Sequence, residues 1–304
     1  MNAVIHKFWF RAMASPCEVV ICGGTTEAAQ HYAGVAEQEV LRIEHKYSRY
    51  REDSVVSQIN RNAGASGVEV DDETLTLIAI ADKLYQASAG RFDITSGVLR
   101  RAWQFREARL PLASDIAPLL PLIDWLAVER NGHSVRLPRA DMELDFGGFG
   151  KEYAADSAAR LLQQAGITQG YVNLGGDLRV LGPKADGSPW MLGIQHPRDM
   201  QRMIATIPVV QGALATSGDY ERFIDVAGQR YCHVLNPRTG FPVSHWRSVS
   251  VLAANAVMAG SFSTIAMLLE SAGLEFLQKS GLSFLAIDHT GKVWQDNGAL
   301  PQAS

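Results

Sequence analysis

His233 and Lys151 carry side chains suited to moving a proton and to holding an anion. His233 stands just ahead of the turn-forming run Asn236-Pro237-Arg238-Thr239-Gly240. An imidazole titrates near neutrality and can take the proton of a hydroxyl nucleophile, although a lone histidine also serves as packing. Lys151 follows Gly147, Gly148 and Gly150 in the stretch ELDFGGFGKEYAAD, residues 143–156. Glycines lack Cβ atoms, so backbone N–H groups can approach a ligand at the start of a helix, and phosphate suits such a turn. A lysine in the first turn works against the helix dipole, which favours a role for its charge. The same residues also fit a tight strand-to-helix connection with a solvated lysine, since a lone glycine-rich loop is a weak signal.

Other candidates are hydroxyls and an aromatic–acid pair. Ser263 and Thr264 fall in the first turns of a helix read over residues 259–269, where hydroxyls cap the helix or reach a bound cation. Ser54, Ser57 and Asn60 recur three apart, lining one face of a turn or simply capping it. Phe92 beside Asp93, after the helix stop at Gly90, is placed to hold a planar ring or to fill a core corner.

The elements that must position these groups are written in hydrophobic periodicity. Residues 143–145 read as a short strand entering the glycine turn. The helix after it shows Ala154, Ala158, Leu161 and Leu162 at helical spacing, with Gly166 as its stop. Residues 17–22 read as a strand. A long helix follows, with Ala29, Tyr32, Ala36, Val40, Ile43 and Tyr47 on one stripe, and another spans about residues 72–89. Residues 107–140 form a peripheral elaboration leading to a hairpin of 134–137 against 142–144. Further strands cover 170–174, 177–180, 190–195, 205–210 and 249–253, and a helix and hairpin close the chain. Gly175-Gly176 implies a bulge or a close backbone approach. Without strict β-α alternation the expectation is α+β: mixed sheets with packed helices, two intimately associated halves in one domain over residues 1–304.

Composition excludes several classes. With 28 basic against 32 acidic residues there is no electrostatic case for nucleic acid. No apolar run reaches the ~18 residues a membrane span needs. The N-terminal apolar cluster, broken by His6, Lys7 and Arg11, is too short for a signal peptide. Cys17, Cys22 and Cys232 lack paired-thiol or zinc spacing, so a reducing, cytoplasmic setting is expected.

Taken in order, these motifs resemble the ApbE family, the FAD:protein FMN transferases. The likeness runs through Met13, residues 48–60, 90–95, 145–156, 173–177, 215–222 and 233–240, and the Ser263-Thr264 helix. It implies an ApbE-like fold and an enzyme that splits the diphosphate of FAD. The FMN half would go to a Thr or Ser hydroxyl of an acceptor flavoprotein, with release of AMP. The resemblance further implies FAD contacts at Met13, Tyr50, Phe92, Asp93, Asp145, Lys151 and Leu235, His233 as the base, and Mg²⁺ near Gly148, Ser263 and Thr264. There are departures. An Asp usual in the family, four residues before the matched Thr, is here Gly260, with Asp219 or Asp177 as substitutes for that metal ligand. Glu152 stands where the family more often has Gly, and Met13-Ala14-Ser15 stands for Met-Gly-Thr. Two alternatives share the site: a Mg²⁺-dependent FAD hydrolase giving FMN and AMP, and a protein that stores FAD without turnover. A protein sharing only the fold is a further one.

Overall fold

Ile5–Ala12 forms the first strand, a segment with no strand signal in the sequence because charged residues interrupt its apolar run. In the computed structural model, which describes residues 4–107 and 109–296, this strand lies at a sheet edge, where such residues face solvent. It pairs with Ser15–Cys22, and Ala12 faces Ser15 across a tight turn at Met13 and Ala14. Both turn residues are left-handed, with φ of 50° and 57°. For Ala14 that conformation costs about 1–2 kcal/mol.

The main sheet has eight strands in the order Ile5–Ala12, Ser15–Cys22, Gly170–Leu174, Asp177–Gly182, Gly212–Gly218, Trp246–Ala253, Ser283–Asp288 and Val293–Asp296. Every pairing is antiparallel. Alternation sorts its two faces: Val19 and Ile21 point to the helices, while Val20 points the other way. On the helical face lie Thr26–Tyr47, Gly150–Gln164 and Ala256–Leu268, with alanines (Ala36, Ala154, Ala158, Ala259) buried where close approach is needed. On the opposite face a hairpin, Trp190–His196 with Asp199–Val209, brings Trp190, Leu192 and Ile194 against Val20, Val180 and Leu285. Each fully buried aliphatic of this kind contributes roughly 1.5–3 kcal/mol. This is the expected α+β architecture. Among the described residues no helix is long and apolar enough to cross a membrane.

Three local expectations are corrected. Ser134–Arg136 pairs with Glu129–Asn131 and Val68–Glu69, not with residues 142–144. Residues 143–145 form no strand. Instead, the Asn60 side chain accepts from the Leu144 N–H at 2.7 Å and donates to its carbonyl at 3.0 Å, standing in for a strand neighbour. The helix carrying Ser263 begins at Ala256, capped by Asn255, so the two hydroxyls lie beyond its first turn.

Candidate active site

The strands order the site. Ser15–Cys22 and Asp177–Gly182 start, and Gly170–Leu174 and Gly212–Gly218 end, at one edge of the sheet, and helix 150–164 starts there too. The tight turn at Gly175 and Gly176 comes so close that a Cβ on Gly175 would stand 2.8 Å from Ser15 Cβ and 3.7 Å from Lys151 Nζ. Across it, the Lys151 ammonium donates to the carboxylate of Asp177, which is buried at 3% exposure. Burial alone would lower the Lys151 pKa, but Asp177 and then Glu152 outweigh it, so the lysine is held above its ordinary value and stays charged.

The glycine turn has a different cause from the one its composition suggests. Three of its N–H groups are used within the chain: Gly147 donates to Asp145 Oδ1, and Phe149 and Gly150 donate to the Phe146 carbonyl. A Cβ on Gly148 would stand 2.8 Å from the Phe92 ring, so this glycine admits an aromatic floor. Phe92 is buried beneath it, beside Phe149. The Asp93 carboxylate is taken up by the N–H and hydroxyl of Thr95 and the N–H of Trp125. Asp145 accepts from Arg49 at 3.1 Å and lies 3.7 Å from Arg100. Arg100 donates to the hydroxyl of Tyr50, whose ring is 76% exposed and borders a cavity of about 520 Å³ with Arg49, Arg101 and Glu143.

His233 is fixed by Arg222: its N–H and its Nδ1 both bond the Arg222 carbonyl, at 2.9 and 3.2 Å. A carbonyl only accepts, so Nδ1 carries the proton and Nε2 keeps its lone pair. Burial, then the positive charges of Arg222 and Arg100 and, more weakly, Lys151, push the imidazole down to about 4, leaving it neutral near pH 7. Leu235 follows, bridged to Pro242 and packed among Trp103 and its neighbours. Trp103 in turn donates to the Gly240 carbonyl at 2.7 Å, which locks the turn after His233.

Helices 150–164 and 256–268 run antiparallel in a register fixed by two contacts. Asp156 accepts from the N–H groups of Ala256 and Val257 at 2.8 and 2.9 Å, and Glu152 lies against Gly260. One turn further along helix 256–268 come Ser263 and Thr264. There, Ser217 Oγ bonds Ser263 Oγ at 2.7 Å and Thr264 Oγ1 at 2.9 Å, and Ser263 donates to the Gly260 carbonyl. Among the described residues no three His, Cys, Asp or Glu side chains converge as a metal cluster. One or two carboxylates with hydroxyl, carbonyl and phosphate oxygens are, however, what Mg²⁺ takes. Glu152 fits that need, because its Oε2 is buried without a hydrogen-bond partner. Burial, then the nearby Asp177 carboxylate, raises its pKa, so this carboxyl takes a proton more readily than an exposed glutamate does.

The Glu152–Gly260 contact makes a stability prediction. A Cβ on Gly260 would stand 2.4 Å from Glu152 Oε1. Gly→Ala inside a helix ordinarily gains about 1 kcal/mol, but Gly260→Ala should lose about 1–3 kcal/mol by overpacking. Urea denaturation measures it, and the loss should disappear in a Glu152→Gly background.

Arg49, Arg100 and Ser217 belong to this setting without a signal of their own in the sequence, whereas Asn60 is marked there by its spacing with Ser54 and Ser57. Glu152 has one, as a departure in its own right.

Residues 13–286 match the ApbE family. A Salmonella typhimurium protein named FAD:protein FMN transferase is 31% identical over 261 residues, which cover 81% of this chain and 75% of that protein. A Vibrio cholerae protein of the same name is 29% identical over 319 residues, covering 93% and 94%. The crystal structure of the ApbE protein from Thermotoga maritima is similar with a TM-score of 0.89 at 30% identity, covering 97% of each chain.

Proposed function

Because the chain belongs to the ApbE family, we propose that it acts as a FAD:protein FMN transferase, passing the FMN half of FAD to a threonine or serine of an acceptor flavoprotein. The observation that carries this reading is His233, neutral, with Nε2 free, and within electrostatic reach of Lys151 at the head of helix 150–164. In the proposed step the acceptor hydroxyl gives its proton to Nε2 as its oxygen bonds the FMN phosphorus. The bond from that phosphorus to the bridging oxygen breaks, and its electron pair leaves with AMP. Lys151, kept charged by Asp177, faces the diphosphate and offsets charge growing on the transferring phosphoryl group. Mg²⁺, when bound, would draw charge from the phosphate oxygens. Gly148, Ser263 and Thr264 would hold it. Met13, Tyr50, Asp145 and Leu235 would border the flavin nucleotide with Lys151, while Phe92 and Asp93 brace the turn beneath.

We also place the activity in the cytoplasm, where Cys17, Cys22 and Cys232 would remain free thiols. The test is incubation with FAD, with and without Mg²⁺, and a flavoprotein carrying an acceptor threonine. AMP release with an acceptor mass gain of one FMN is expected. AMP without that gain would point to the hydrolase, and tight FAD without AMP to the storage protein.

A further inference from the structure

We propose that Glu152, on helix 150–164, supplies the carboxylate ligand of the site's divalent cation, a role that helix 256–268 cannot fill because it has Gly260 at the facing position. The inference deepens the transferase reading, but its argument and test concern cation binding alone.

Volume is the first argument. The Glu152 side chain occupies the space that any side chain on Gly260 would enter, with Oε1, Cγ and Cδ at 2.4, 2.6 and 2.8 Å from a Cβ built there. A carboxylate on either helix thus reaches the same place, and only one can be present. Vacancy of bonding is the second. Glu152 is 7% exposed and its Oε2 is buried with no hydrogen-bond partner. An unpaired buried acceptor is costly unless something binds it.

Other oxygen donors lie on the same stretch of helix 256–268. Gly260, against which the carboxylate lies, offers its carbonyl to Ser263, and Ser263 and Thr264 share Ser217. The other carboxylates considered for this role are engaged elsewhere: Asp219 takes a two-pronged contact from Arg198 at 2.7 and 2.6 Å, and Asp177 holds Lys151. A hard cation with few protein carboxylates, completed by hydroxyls, water and substrate phosphate, is the ligand class this set suits.

The test uses Mn²⁺ as a spectroscopic probe with the full-length protein in the absence of FAD, following the free-ion EPR signal. The wild type should bind Mn²⁺, and Glu152→Gln should weaken binding about tenfold or more while circular dichroism and the melting transition show an intact fold. Glu152→Gly combined with Gly260→Asp moves the carboxylate to the other helix and should recover binding. Unchanged Mn²⁺ affinity in Glu152→Gln, or no binding by the wild type, would overturn the assignment. Since no turnover is read, such a result would leave FMN transfer by the wild type to be judged on its own assay.

Discussion

His233→Ala should lower the rate of FMN transfer by about 10²- to 10⁴-fold, the range that a positioned general base contributes, while FAD binding stays near the wild-type level. The separation follows from geometry. The imidazole is tethered through Nδ1 to the Arg222 carbonyl, so what it presents to the site is an Nε2 lone pair rather than a charge. Removing it deprives the acceptor hydroxyl of its proton sink but takes no cation from the diphosphate. Single-turnover AMP release and equilibrium FAD titration measure the two quantities. An unchanged transfer rate would remove His233 from the role of base.

The same residue sets a pH dependence. The catalytic form is the neutral imidazole, and it is lost only as pH falls through the folded-state value of about 4. The acid limb of kcat/KM should therefore lie near pH 4, well below the ~6.5 of an unperturbed histidine. A limb at the ordinary value would mean that burial and the cations around His233 do not act on it in solution.

Lys151→Met should be the other large effect, with two separable parts. The substitution leaves the Asp177 carboxylate, with 4% side-chain exposure, without its partner. Breaking such a pair costs about 3–5 kcal/mol, and the lower end is expected because the Lys151 side chain keeps 30% exposure. It also takes from the site the ammonium that would face the diphosphate. Lys151→Met with Asp177→Asn removes both charges, so stability should return while turnover does not. Full recovery of turnover in the double variant would show that Lys151 serves the fold alone. Urea denaturation and AMP release separate these outcomes.

The long helices were legible because their cores are periodic: Ala29, Ala36, Val40, Ile43 and Tyr47 are all buried as the stripe requires. Strand 5–12 was not, since an edge strand tolerates the charges that erased its pattern. The extended segment at Leu144 was misread as a strand because its hydrogen-bonding partner is a side chain, Asn60, from a distant part of the chain. At the site, the packing reasons behind the motifs were not legible. Gly148 reads as room for a ligand, yet the aromatic ring of Phe92 fills that room. Glu152 and Gly260 each stood out as a departure. That the two departures are one exchange of volume and charge is a tertiary fact, carried by the antiparallel register of two helices.

A crystal structure of the protein with FAD bound would show whether Lys151 and His233 share one diphosphate. The diphosphate should lie against Lys151 Nζ at the head of helix 150–164, with His233 Nε2 turned toward the FMN phosphorus across a gap that admits one hydroxyl. A diphosphate bound away from Lys151, as in the cavity beside Tyr50 and Arg101, with His233 facing no phosphorus, would contradict it.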